Sequence, residues 1–198
     1  MKNLICGAIS IMLATLIAAA MPTEAEARIY EDTLRLHILA ASDSDEDQEL
    51  KLYLRDKLLS KYGEVLSGAE SVSGAASIVS EQLDSIKADC EHWVKEAGYD
   101  YSISCELCKE WYDTREYESF TLPKGEYLSL KIKIGAAKGK NWWCVMFPPL
   151  CLDAATENTE KNSETKYSKE ETALITNKKY KVKFKLLELF SSTFFKNG

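Results

Sequence analysis

The side chains best suited to chemistry in this chain are six cysteines and two histidines. Cys105-x-x-Cys108 has the spacing of a redox dithiol or of half a zinc site. A redox dithiol usually opens a helix, whose dipole lowers a thiol pKa. This pair instead sits in an alternating stretch, where positions three apart face opposite sides. Zinc needs two further ligands at comparable spacing, and the other cysteines form no second close pair. Cys144 with His37 is a conceivable nucleophile and base, since such partners need only meet in space. Yet Cys144 stands in the most apolar segment of the chain, where a thiol becomes inert. No G-x-S-x-G, H-E-x-x-H or phosphate-binding loop is present. The residues therefore assign no catalytic, metal or cofactor site. A secreted thiol-dependent or hydrolytic enzyme using Cys144 is the alternative reading.

A different chemistry is concentrated between Asn141 and Cys151, which packs Trp142, Trp143, Cys144, Phe147, Pro148, Pro149 and Cys151 into eleven residues. Cys144 and Cys151 are spaced to close a small loop as a disulfide, worth about 2–3 kcal/mol in chain entropy. A constrained loop of rigid aromatics and prolines loses little entropy on binding, which suits recognition. One tryptophan is expected in the core and the other at a partner. An envelope-binding module is a further alternative, resting on the same aromatics.

The elements that must position this loop follow from periodicity. Leu34 to Leu39 alternates apolar and polar residues as a half-buried strand does. Ser and Asp residues from Ser42 to Asp45 then offer helix caps. Leu50, Tyr53, Leu54, Leu58 and Tyr62 recur at helical spacing, with Gly63 as the expected stop. A second helix is expected from Ser71 to Ala97, with Val79, Leu83, Ile86, Cys90, Trp93 and Ala97 on one face and Gly98 as its cap. Tyr99 to Leu107 and Leu128 to Ile134 alternate as strands. Trp142 to Phe147 is apolar on both faces, which predicts a central or helix-covered strand. The expected fold is a single α+β domain: one N-terminal strand, two helices and an antiparallel sheet.

The flanks read differently. Leu4 to Ala20 is an apolar run behind Lys2, and Ala25-Glu26-Ala27 is an A-x-A cleavage site, so residues 1–27 read as a signal peptide. Ala18-Ala19-Ala20 is a second candidate site, and an uncleaved anchor is the alternative. Residues 28–152 form the domain, 153–179 a polar or disordered linker, and 180–198 an apolar C-terminal segment. The net charge of −6 argues against nucleic acid, whose phosphates require clustered Lys and Arg.

In order and spacing these residues resemble the stage II sporulation protein R family of endospore-forming Firmicutes. The resemblance is carried by Leu34-Arg35-Leu36-His37-Ile38-Leu39-Ala40-Ala41-Ser42-Asp43-Ser44, by Leu54-Arg55-Asp56, by Pro123-x-Gly125-Glu126-Tyr127, and above all by Asn141-Trp142-Trp143-Cys144 through Phe147-Pro148-Pro149-Leu150-Cys151. Ala41 departs from the Asn that the family favours there. The resemblance implies a protein secreted from the forespore into the space between the two membranes. There it would trigger a mother-cell membrane-embedded protease that processes pro-sigma-E, acting as a signal and not as the protease. No nucleic acid, small-molecule substrate or cofactor is implied. The expected partner-binding residues are Ser42 and Asp43 at a polar tip, with Asn141, Trp142, Trp143, Phe147, Pro148 and Pro149 in the loop.

Overall fold

The computed structural model describes residues 5–7, 9–12, 14–15, 23–117, 120–149 and 167–176. Its centre is a four-stranded sheet of β1 (Leu34–Leu39), β2 (Ile103–Tyr112), β5 (Gly125–Ile134) and β6 (Asn141–Phe147), in the order β2-β5-β1-β6. A two-stranded ribbon, β3 (Arg115–Glu116) with β4 (Thr121–Leu122), leads from β2 to β5. The expected α+β class holds, with one parallel pair in a mainly antiparallel sheet. β1 runs parallel to β5, because the chain leaves β1 into helices and returns along one face.

Those helices are α2 (Asp45–Ser67), α3 (Val72–Glu81) and α4 (Leu83–Glu96). Ser44 caps α2 by accepting the Asp47 N–H at 3.3 Å. The helix does not stop at Gly63 but continues to Ser67. A helical glycine costs about 1 kcal/mol, and burying Leu66, only 1% exposed, returns about 1.5–3 kcal/mol. The single helix expected from Ser71 to Ala97 is broken at Gln82, which ends α3 and starts α4. The apolar stripe nevertheless faces inward except at its end: Val79, Ile86, Cys90 and Trp93 are core residues and Leu83 packs against them, while Ala97 is exposed at the cap of α4. Gly98 adopts φ +87° at the end of α4, and the Tyr99 N–H returns to the Val94 carbonyl at 3.0 Å.

Strand positions follow from what each strand can pair with. Tyr99 and Tyr101 alternate with polar residues yet lie before β2, stacked on each other at 5.7 Å. Ile103 is the last residue opposite β5, pairing with Ile134, and Gly135 then turns the chain at φ +52°. β6 is an edge strand, so of the two expected forms, central or helix-covered, it takes the second. Its apolar residues on both faces are explained by two separate cores. Cys144 and Met146 enter the helix-side core with Leu34, Leu36 and Ile38. Val145 and Trp143 join a second cluster on the opposite face, around Ile29, Tyr112 and Tyr127.

That second cluster brings in two further helices, beyond those expected from periodicity. α1 (Glu24–Glu31) starts in a capping box: Glu26 N–H donates to Thr23 Oγ1 and Thr23 N–H to Glu26 Oε2. α5 (Lys169–Thr176) repeats the device, with Ser168 and Glu171. Ile29 meets Leu174 and Ile175 in this cluster, and the Thr33 and Tyr167 hydroxyls hydrogen-bond at 2.6 Å. Residues 169–176 therefore depart from the expected linker: a capping box and two buried aliphatics suffice to hold a short helix. The expected boundary after Ala27 falls inside α1. The apolar segment 180–198 lies outside the described residues.

Candidate functional site

Alternation along β1 sends Leu34, Leu36 and Ile38 to the helices and leaves Arg35 and His37 on the other face. A polar side chain on a buried central strand must find partners there, since an unmet buried polar group costs about 1–3 kcal/mol. His37 finds two. Its Nδ1 lies 3.1 Å from Glu110 Oε2 on β2, and its Nε2 3.0 Å from Asn141 Oδ1 on β6. The carboxylate accepts only, so in that bond Nδ1–H is the donor. Lys131 on β5 also donates to Glu110. All four strands of the sheet are thus tied through one imidazole and one carboxylate.

Burial alone would raise the Glu110 pKa, but hydrogen bonds from Lys131 and His37 outweigh it and hold the carboxyl below its usual range. The same bond, opposed by burial, raises Lys131. A carboxylate depressed in the fold adds stability that is fully present above its unfolded pKa of about 4.3 and disappears as pH falls through the folded value. Glu110→Gln is therefore expected to cost about 2 kcal/mol at neutral pH and to flatten the acid limb of stability. Thermal melting of both chains between acid and neutral pH checks this, and an unchanged acid limb in the variant would refute it.

His37 also positions an aromatic. Opposite it on β6 stands Trp143, whose ring stacks on the imidazole at 5.5 Å and 21°. The Arg115 guanidinium from β3 lies 3.5 Å from the centre of the same indole. Trp142 points to the other face, where Arg55 of α2 lies 4.4 Å from its ring. Among the described residues its buried Nε1 has no hydrogen-bond partner. The two tryptophans thus straddle the β6 edge, each under an arginine from a different layer. Between the layers runs a cleft of about 510 Å³, lined by Arg55 and Leu59, by Arg115 and Tyr117, and by Asn141 to Cys144.

A family model described as Stage II sporulation protein R matches residues 30–158. This chain belongs to the stage II sporulation protein R family. The stage II sporulation protein R of Bacillus subtilis (strain 168) is 37% identical over 139 residues, covering 70% of this chain and 62% of that protein. The match thus spans less than two thirds of that relative's length. No solved structure matches. His37, Glu110, Lys131, Arg115 and the tryptophan pair all lie within the span matched to the family.

The family-like residues separate into two groups by their surroundings. Ser42 and Asp43 do not form a free tip. Ser42 Oγ donates to Asp47 Oδ2 at 2.6 Å and its carbonyl accepts from Gln48. Asp43 Oδ1 accepts the Lys140 N–H at 2.6 Å. Together with Lys51, which donates to the Lys140 carbonyl at 3.0 Å, they lock the start of α2 to the loop before β6. Phe147, Pro148 and Pro149 are buried, so they finish the strand inside the fold and present no surface. Trp142, Trp143 and Asn141 are half-buried and line the cleft. The expected division of one core and one exposed tryptophan becomes two half-buried ones, since an edge strand between two layers shields both faces.

Cys144 is disulfide-bonded; its expected partner, Cys151, lies outside the described residues. It faces the helix-side core opposite Leu36, while His37 faces the other side opposite Trp143. A Cys144–His37 pair is therefore not formed. Cys105 and Cys108 point to opposite faces of β2, and among the described residues no group of side chains is placed to hold a metal. Glu110, Lys131 and Arg115 are not among the expected site residues, and Arg55 enters there only through the family-like Leu54-Arg55-Asp56. The available signal was Arg35 and His37 themselves, two polar side chains on a strand with every other sign of burial.

Proposed function

We propose that this chain is a secreted intercompartmental signal of sporulation. It leaves the forespore for the intermembrane space and engages the extracytoplasmic part of the mother-cell membrane-embedded protease that processes pro-sigma-E. The reading gives the chain no catalytic step: binding favours the protease's active state, and a ligand shifts such an equilibrium only through differential affinity. The cleft beside the tryptophan pair supports it most. Tryptophan and arginine are the residues richest in binding energy at interfaces, and here both tryptophans are held in place by arginines and by His37 before any partner arrives. Preorganised side chains lose little entropy on docking. Export also bears on α1. A cut after Ala27 removes Thr23 and Glu26 with their capping box, whereas a cut after Ala20 leaves α1 whole, and this reading favours the latter.

Co-expression with the protease and pro-sigma-E in a non-sporulating host tests the role. Processing is expected only when the chain is present. Arg115→Glu is expected to lower processing about tenfold or more, with secretion and melting temperature retained. Processing without the chain defeats the signal role, and full processing by the Arg115→Glu chain takes the cleft out of the interface.

A further inference from the structure

We infer that the cleft receives an acidic side chain, an Asp or Glu on the extracytoplasmic part of the protease, whose carboxylate forks onto the Arg115 guanidinium. This rests on the docking role given to the cleft and adds the chemistry of what docks there. Arg115 is half-buried at the cleft wall, in the ribbon strand that pairs it with Leu122. Its guanidinium carbon lies 3.5 Å from the centre of the Trp143 ring. At that distance the planar group must lie flat on the indole, since a tilted one would drive a nitrogen into the ring. The contact uses the guanidinium face and leaves the N–H donors, which lie in its plane, pointing outward. Among the described residues Arg115 has no hydrogen bond and no ion pair. A planar fork of unmet donors matches a carboxylate, which accepts two parallel hydrogen bonds.

The other charges around the cleft already have partners. Arg55 is paired with Asp56 at 2.7 Å. Glu116 follows Arg115 on the opposite side of the ribbon and has a partner of its own. Of the two lining cations, Arg115 is therefore the one without a counter-ion among the described residues. Trp142 Nε1 on the same cleft is buried without an acceptor, and an indole N–H can only donate. A peptide segment answers both, with a carboxylate for Arg115 and a main-chain carbonyl for Trp142. Polyanions fit poorly, because nucleic acid and anionic bilayers are held by clustered Lys and Arg. Here one unpaired guanidinium stands on a chain of net charge −6. The ribbon also holds Arg115 in place before docking: the Tyr117 N–H donates to the Phe120 carbonyl at 2.8 Å, and their rings stack at 4.5 Å. Little entropy is then lost when the carboxylate arrives.

The co-expression assay tests this with the full chain and the full protease. Each Asp and Glu in the extracytoplasmic part of the protease is changed in turn to Arg, and membrane levels of every variant are measured. Each is paired with the unsubstituted chain and with the Arg115→Glu chain. One position is expected at which the change to Arg lowers processing about tenfold with the unsubstituted chain. The same protease variant should recover most of its processing with the Arg115→Glu chain, which shows that it is folded. Arg115→Lys keeps the charge without the fork and should still lose about threefold or more. If Arg115→Glu lowers processing and no reversal in the protease restores it, the acidic partner is wrong while the signal role stands. Full processing by Arg115→Lys would overturn the forked pairing. Full processing by Arg115→Glu would remove the cleft from the interface, and the acidic partner with it.

Discussion

Gly139→Ala is expected to destabilise the domain by about 3 kcal/mol or more, the range of a severe steric lesion in a packed site. An added Cβ would lie 2.0 Å from the Ser42 carbonyl oxygen, 2.5 Å from its carbon and 2.9 Å from the Ala40 Cβ. The first two are backbone atoms, so no side-chain rotation relieves the clash. The Gly139 N–H donates to the Ala40 carbonyl at 3.0 Å, and the Lys138 N–H to the Ala41 carbonyl at 3.2 Å. Moving the loop back therefore breaks these bonds, together with those from Lys140 to Asp43 and from Lys51 to the Lys140 carbonyl. Lys51 is nearly buried, and that burial lowers its pKa, so losing an acceptor exposes a further cost. The melting temperature should fall by roughly 6–12 °C for a domain of this size. Gly98→Ala is the informative comparison. Its φ is +87° but no atom lies within 4 Å of the added carbon, so it carries backbone strain alone, about 1 kcal/mol. If the two variants melt alike, the close approach at Gly139 is not what holds the loops.

This locking of the loops marks where the sequence could be read and where it could not. Ser44 as the cap of α2 was legible, because capping is local and its partner sits three residues away. The closure by Gly139 was not, because nothing in Gly139 itself names Ser42 as its neighbour. The same division runs through the site. The alternation of Leu34 to Leu39 announced a strand and put Arg35 and His37 on one face. Which strands flank β1, and hence that Glu110 and Asn141 meet His37, depends on pairings 73 and 104 residues apart. The Trp-Trp strand was recognisable as two-faced, yet an edge strand between two cores has the same pattern as a central one. α1 was hidden for another reason: small residues before Arg28 satisfy a cleavage pattern and a helix equally well. Family-like segments marked the important positions without separating Ser42 and Asp43, which hold loops together, from Trp142 and Trp143, which line a cleft.

Arg35 offers the sharpest test of what this polar face is for. It is fully buried, with its guanidinium 3.8 Å from the centre of the Tyr112 ring and 4.9 Å from that of Tyr127. Nη2 donates to the Tyr117 hydroxyl at 2.6 Å. Nε and Nη1 have no partner among the described residues. Burying such a charge costs several kcal/mol, and each unmet donor about 1–3 kcal/mol. Two desolvated cation–π contacts at about 2 kcal/mol each and one hydrogen bond come close to offsetting this without a clear surplus. Arg35→Met, which keeps most of the volume and removes the charge, is therefore expected to melt within about 1–2 kcal/mol of the unsubstituted chain. Arg35→Ala opens a cavity beneath Tyr112 and Tyr127 and should lose about 3–5 kcal/mol. The Met variant still frees the hydroxyl of Tyr117, a wall of the cleft. It should fold and be secreted yet trigger less processing in the co-expression assay. Equal destabilisation by Met and Ala would show that the charge itself holds the fold. A stable Met variant with full processing would show that the order Arg35 imposes on Tyr117 is not used in recognition.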